Sequence, residues 1–371
     1  MPMKILVTGS KGFIAKNLIS ELKSKGYFDV LEYSRETDLN LFDEYCKEAD
    51  FVFHLAGVNR PKDPSEFMDV NYGFTSILLD TLKKYKNTCP IMIASSIQAE
   101  QNNPYGMSKK AGEDLLFEYS KETGAKVLVY RLPNVFGKWS RPNYNSVIAT
   151  FCYNIANDLP ITVDDPSYEL KLVYIDDVVE ELLQALNGNE TVMQDYCEVP
   201  IVHTTTLAEI IELIYSFKKS REERSIPNMS YAFTKKLYST FLSFLQENHF
   251  SYDLKMHVDQ RGSFTEFIKT PDRGQVSINI LKPGVTKGNH WHHTKNEKFL
   301  VVNGHGVIRL RDIHSNEIIE YYASGEKLEV VDIPVGYTHN IENLGDTNMV
   351  TIMWVNEVFD PEKPDTFYLE V

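Results

Sequence analysis

Gly284-Val285-Thr286-Lys287-Gly288-Asn289-His290-Trp291-His292-His293-Thr294-Lys295-Asn296-Glu297, with Pro334-Val335-Gly336-Tyr337-Thr338-His339-Asn340-Ile341-Glu342-Asn343 further on, decides how the last third of the chain is read. With Gly304 the spacings are G-x5-H-x-H-x4-E-x6-G and P-x-G-x2-H-x3-N. Side chains two apart on a strand share a face, so His290 and His292 point together while Trp291 and His293 point away. Glu297 and His339 then complete a metal shell of three nitrogens and one carboxylate, with a position left for water or substrate. Taken alone, each histidine is ordinarily a surface or hydrogen-bonded residue. The whole set at these spacings points to a metal centre.

Those spacings resemble the two signature motifs of the cupin family, which implies an all-β barrel. The surrounding texture agrees. Short strand-like segments recur at 263–268, 275–281, 298–302, 307–311, 317–322, 328–333 and 349–355. Turn residues such as Asn303-Gly304, Ser324-Gly325 and Gly345-Asp346 separate them, a rhythm suited to an antiparallel sandwich or barrel. The domain boundary is expected near residues 243–252, giving domains 1–243 and 244–371.

The 371-residue length suggests two or three domains. No stretch approaches the ~20 apolar residues of a membrane-spanning helix. Met3-Lys4-Ile5-Leu6-Val7 reads as a strand rather than a secretory signal, so a cytoplasmic protein without membrane contact is expected. Cys46, Cys89, Cys152 and Cys197 are widely spaced and form no C-x-x-C pair, which argues for reduced thiols. A net charge of −14 disfavours nucleic acid, and an anionic substrate would need a local basic pocket.

At the other end, apolar runs at 4–8, 29–33, 51–55, 91–95 and 126–130 alternate with helix-length amphipathic segments. That pattern implies a parallel sheet with helices on both faces. Residues 204–247 read as helical, with Lys218–Asn228 as the best internal break. Thr8-Gly9-Ser10-Lys11-Gly12-Phe13-Ile14-Ala15 follows the first run and opens a helix. Gly9 permits the turn, Gly12 lets backbone approach a pyrophosphate, and Ala15 allows close helix–strand packing. Arg35 stands at the end of the second run, where an acid selects NAD and an arginine accommodates a 2′-phosphate, so NADPH is the expected cofactor. Tyr105 and Lys109, four apart, share a helix face. Lys109 can lower the Tyr105 pKa and hold the nicotinamide ribose, while Tyr105 gives a proton to a carbonyl and Ser96 hydrogen-bonds the same oxygen.

Gly9-x-x-Gly12-x-x-Ala15, His54-Leu55-Ala56-Gly57, Asn71, Ser95-Ser96, Tyr105-x-x-x-Lys109, Arg131-Leu132-Pro133-Asn134-Val135-Phe136-Gly137 and Val173-Tyr174-Ile175-Asp176-Asp177 occur in an informative order. The order is similar to that of extended short-chain dehydrogenases/reductases acting on nucleotide sugars. The resemblance, over about residues 3–240, implies an α/β Rossmann N-terminal domain with a smaller substrate lobe. It implies that Ser96, Tyr105 and Lys109 are catalytic, that Leu55, Ala56 and Gly57 lie near the cofactor, and that Asn134 and Lys171 lie near sugar or diphosphate. The dehydratase branch carries an Asp-Glu pair after the catalytic hydroxyl residue. Here Ser96-Ile97-Gln98 stands instead, which disfavours 4,6-dehydration.

Asp259-Gln260-Arg261-Gly262-Ser263-Phe264-Thr265-Glu266-Phe267 resembles the D-x-R-G-x-F-x-E segment of cupin 4-keto-sugar epimerases, which helps bind the nucleotide sugar. Arg261 suits a diphosphate through its paired donors, and a surface turn is the alternative. Epimerisation beside a ketone needs a base, an oxyanion stabiliser and an acid. His293, His305 and Tyr337 are candidates, none favoured by spacing, and the metal is catalytic in one reading and architectural in another.

In domain order, motif set and length the chain resembles bifunctional capsular-polysaccharide enzymes that fuse such a reductase to a cupin epimerase-like domain. The resemblance implies a zinc-containing homodimer acting on a UDP-linked amino sugar. The cupin would epimerise C3 of a 4-keto sugar and the reductase would then reduce C4. The ketone acidifies the C3 proton, so epimerisation must precede reduction. Two alternatives stand beside it: a single-activity reductase whose zinc cupin serves dimerisation, and a binding regulator without turnover. The proton donor Tyr105 argues against the regulator.

Overall fold

A computed structural model describes residues 3–371. The chain divides into two compact units, one of residues up to Tyr215 with Tyr231–Gln246, the other of Ser216–Ser230 with Glu247–Val371. A single cut at 243/244 places Ser216–Ser230 with the first unit. The structure places that segment with the second, and the chain crosses between them inside the helix Leu207–Glu223.

The first unit is built on β1 (Ile5–Thr8), β2 (Val30–Tyr33), β3 (Phe51–His54), β4 (Ile91–Ser96), β5 (Val127–Leu132), β6 (Asn134–Phe136), β7 (Glu169–Tyr174), β8 (Val192–Met193), β9 (Tyr196–Cys197) and β10 (His203–Thr206). The main sheet has seven strands in the order β2-β1-β3-β4-β5-β9-β8, and β10-β7-β6 form a smaller one. Strands β1 to β5 run parallel, so their connections must cross over, and helices cover both faces. Side-chain alternation along β1 and β3 shows this directly. Ile5, Val7, Phe51 and Phe53 enter one core with Leu18 and Leu22 of the helix Phe13–Ser24. Leu6 and Val52 enter the other core with Leu78, Leu82 and Leu116 from the helices Phe74–Lys84 and Pro104–Thr123. The two faces together place the carboxyl ends of β1, β3 and β4 at one rim, where ligands bind in open parallel sheets.

The second unit is mostly β, with β11 (Met256–Asp259), β12 (Gly262–Thr270), β13 (Gly274–Leu281), β14 (Thr286–Trp291), β15 (Glu297–Asn303), β16 (His305–Asp312), β17 (Ile318–Ser324), β18 (Val330–Ile333), β19 (Tyr337–Asn343), β20 (Met349–Val355) and β21 (Phe367–Tyr368). They form antiparallel sheets ordered β11-β12-β13-β20-β15-β18 and β17-β16-β19-β14-β21. Both sheets contribute to one apolar core, with Leu281, Phe299, Val301 and Met349 from the first and Ile308, Leu310 and Ile341 from the second. Ser216–Ser230 is tied to β12. Ile226 N donates to Lys269 O, Lys269 N donates to Arg224 O, and Glu266 pairs with both Arg224 and Lys269. Among the described residues no helix is long and apolar enough to cross a membrane, and all four cysteines are free.

Candidate active site and metal centre

The turn after β1 requires glycine. Gly9 has φ +67°, and a Cβ there would stand 2.7 Å from Ala56 Cα. The helix Phe13–Ser24 starts at Gly12 with no side-chain cap, which leaves its first N–H groups and positive dipole end available to an anion. A cleft of 700 Å³ opens beside it, and Lys11, Gly12, Phe13, Ile14, Leu55, Gly57, Ser96, Tyr105, Lys109 and Asn134 are among its walls. Gly9, Ser10 and Ala56 are not among those walls. Arg35 and Lys171 are exposed and also lie outside them. Lys171 enters only through its carbonyl, which accepts a 3.4 Å hydrogen bond from Asn134.

Tyr105 and Lys109 lie on the helix Pro104–Thr123, which is started by proline at its first turn and by the Asn103 side chain accepting from Gly106 N at 2.8 Å. Glu113 continues their face by one more turn. It is fully buried, receives both arms of Arg131 (2.9 and 2.7 Å), and accepts the Ser95 hydroxyl at 2.6 Å. Ser95 is thereby occupied, whereas Ser96 accepts from Gln98 N at 3.2 Å and faces Tyr105. Burial raises the Tyr105 phenol above its ordinary value, opposed by a hydrogen bond with Ser96. Burial lowers Lys109 to about 8, opposed by Glu113, and its ammonium donates to Ala94 O at 3.0 Å. At neutral pH the site therefore holds a protonated phenol beside a cation, the state required of a proton donor to a ketone. Asn71 sits in a π turn, Met68–Gly73, and ties Val58 to Ser108 on the Tyr105 helix. No motif marks Glu113, whose role depends on an arginine from β5. Arg141 of the cleft wall, lying 4.9 Å over the Tyr144 ring, was equally silent in the sequence.

In the second unit β14 and β19 bring His290 and His339 into register. His292 follows β14, and Glu297 opens β15. The ligand atoms of His290, His292, Glu297 and His339 all lie within 4.8 Å of one another. Glu297 Oε2 is 3.0 Å from His339 Nε2 and 3.7 Å from His292 Nε2. These three atoms are nonetheless buried without a hydrogen-bond partner. Buried polar atoms are rarely left in that state, and a borderline-soft divalent cation such as zinc would satisfy them all. Burial lowers His290 to about 4. Burial would raise Glu297, but His292 and His339 outweigh it and hold the carboxyl at about 2. Both groups are thus in the deprotonated form that metal binding needs.

The other expected groups fall elsewhere. Arg261 pairs with Asp259 on an exposed turn, and Glu266 is held by Arg224 and Lys269. His293 is exposed against Trp291 and Phe367, and His305 is exposed at the start of β16. Tyr337 lies two residues from His339 on β19 and packs on the core. Lys287, which the motif reading passed over, pairs in register with Ile341 and donates to Asn279 at 3.1 Å.

The model of the NAD dependent epimerase/dehydratase family matches residues 5–196, more than half of the chain. The chain belongs to that family. The polysaccharide biosynthesis C-terminal domain matches residues 257–367. Over 100% of its length the chain is 44% identical to the UDP-2-acetamido-2,6-beta-L-arabino-hexul-4-ose reductase of Pseudomonas aeruginosa, of which it covers 99%. It is also similar to the capsular polysaccharide assembling protein CapF of Staphylococcus aureus, with 56% identity, full coverage of both chains and a TM-score of 0.94. A UDP-glucuronic acid 4-epimerase of Bacillus cereus shares the fold over 65% of the chain and 96% of its own, at 19% identity and TM-score 0.55. The chain is an enzyme of the nucleotide-sugar reductase/epimerase family, and that membership implies a nicotinamide cofactor.

Proposed function

We propose that the chain is a bifunctional enzyme of capsule polysaccharide synthesis. Its C-terminal domain, read as a cupin with zinc on His290, His292, Glu297 and His339, epimerises C3 of UDP-2-acetamido-2,6-dideoxy-β-L-arabino-4-hexulose. Its N-terminal domain then reduces the C4 ketone with NADPH to UDP-N-acetyl-L-talosamine, on the route to UDP-N-acetyl-L-fucosamine. The observation that carries this reading is the presence, in one chain, of a complete proton-donating set and a cluster of unsatisfied ligand atoms. The name of the P. aeruginosa relative supports the substrate.

When bound, NADPH supplies the hydride. Tyr105 delivers the proton to the C4 oxygen from its hydroxyl, Ser96 hydrogen-bonds the same oxygen, and Lys109 holds the ribose and stabilises the phenolate left behind. The uncapped helix end at Gly12 takes the pyrophosphate. In the second domain a divalent cation would supply Lewis-acid polarisation to an oxygen. The working form is read as a cytoplasmic homodimer. β17 is an edge strand of its sheet with Ile318, Ile319, Tyr321 and Tyr322 exposed along it, an edge of the kind a second copy pairs with.

A single-activity reductase is the second reading, favoured because the name of the P. aeruginosa relative specifies reduction alone. Incubating the purified chain with the UDP-4-keto sugar and NADPH, and assigning the product by NMR, separates them. A C3-inverted 4-hydroxy sugar is expected. Reduction with C3 configuration retained would support the second reading.

A further inference from the structure

The cluster of His290, His292, Glu297 and His339 is finished by a residue far away in sequence. Asp365 lies 73 positions after His292 and accepts the His292 Nδ1 proton on its main-chain carbonyl at 2.6 Å. An imidazole that donates from Nδ1 keeps its lone pair on Nε2, the atom buried in the cluster without a partner. The Asp365 side chain does a second thing. Its carboxylate accepts from His293 N (3.1 Å), Thr294 N (2.9 Å), Thr294 Oγ1 (2.9 Å) and Lys295 N (3.1 Å). Those residues make up most of the turn that separates His292 from Glu297. A carboxylate taking several N–H bonds at once is a strong, charge-assisted clamp. The buried Lys295 ammonium then returns to Pro364 O.

The segment around Asp365 is built to hold this position. β21 pairs with His290 and Trp291 of β14, Phe367 packs on the Trp291 ring at 5.1 Å, and Leu369 N donates to Asn289 O at 3.0 Å. Asp365 itself has φ +39°, in the left-handed region an aspartate visits at a cost. That conformation lets its carbonyl reach His292 while its carboxylate reaches the turn.

We propose that Asp365 is the positioning residue of this centre, fixing the His292 tautomer and locking the 293–295 turn so that the ligand atoms are preorganised for a divalent cation. The proposal rests on reading the cluster as a metal centre. Outer partners that orient a ligating imidazole are typically worth roughly 10–100-fold in metal affinity.

The test uses the full-length chain, stripped of metal and titrated with Zn²⁺ and Co²⁺ against a competing chelator. Asp365→Ala keeps the main-chain carbonyl but removes the clamp on the 293–295 turn and the side chain that tolerates φ +39°, so it is expected to weaken both ions by roughly 10-fold and to alter the visible Co²⁺ spectrum. Asp365→Asn, which keeps one carbonyl acceptor, should recover part of the affinity, and it decides the matter if the alanine variant does not fold. Wild-type affinity and an unchanged Co²⁺ spectrum in the variants would overturn the proposal, even if the melting point fell, because that pattern marks a strap serving only the fold. A wild-type chain that binds neither ion would instead overturn the metal-centre reading beneath it.

Discussion

Tyr105 and Lys109 carry the proposed reduction, and their surroundings set its pH dependence. Tyr105→Phe keeps the ring and removes the proton donor. It should lower kcat by about 10²–10⁴-fold with little effect on NADPH binding measured by fluorescence. Undiminished turnover would remove Tyr105 from the mechanism. Lys109, lowered by burial to about 8, is a cation below that pH and neutral above it. Reduction should therefore decline as pH rises through about 8, and a kcat/KM profile flat to pH 10 would contradict the assignment. His54 gives a stability signature of its own. It is 1% exposed, bonded to Thr8 Oγ1 at 2.8 Å and Thr75 Oγ1 at 2.9 Å, and lowered by burial and by Lys109 from 6.5 to about 3. Between those values the unfolded chain binds the extra proton, so the contribution is complete above pH 6.5 and lost as pH falls toward 3. The loss is on the order of a few kcal/mol, and His54→Gln should flatten that acid limb in denaturant titrations.

At the scale of elements, the parallel strands were legible because each is a short apolar run bounded by turn residues. Lys4–Thr8 was expected and Ile5–Thr8 is found. β14 and β19 were different. Lys287, Gly288 and Asn289, and again Thr338 and Asn340, break the aliphatic alternation that marked the other β strands. The histidine spacing implied a strand at His290, whereas nothing in the sequence marked β19 as one. A bulge falls between Gly288 and His290 and moves the His290 side chain into register with His339. The bulge depends on Gly288, with φ +111° and a would-be Cβ 2.7 Å from His339 O. Gly288→Ala should therefore weaken metal binding and cost about 1–3 kcal/mol of stability, measurable by chelator competition and melting. Asp365 and Glu113 were illegible for a different reason. Each acts on a partner brought near only by the fold, His292 in one case and Arg131 in the other. Arg261 and Glu266, in the segment with a clear resemblance, pair with Asp259 and with Arg224 and Lys269.

For the whole molecule, two chemistries in one chain make sense if both work around one ketone, which first acidifies the C3 proton and is then consumed. Removing metal should abolish C3 exchange and lower the melting point of the second unit, while reduction of a pre-epimerised substrate continues. Loss of both activities together on chelation would contradict that division. The most direct test is NMR of the UDP-4-keto-6-deoxy-N-acetylhexosamine in D2O with purified enzyme and no NADPH. Deuterium should enter at C3 with wild type, fail to enter with His290→Ala, and be followed by a 4-hydroxy product once NADPH is added. No deuterium at C3 while NADPH is still consumed would contradict the bifunctional account and leave a reductase with a structural C-terminal domain.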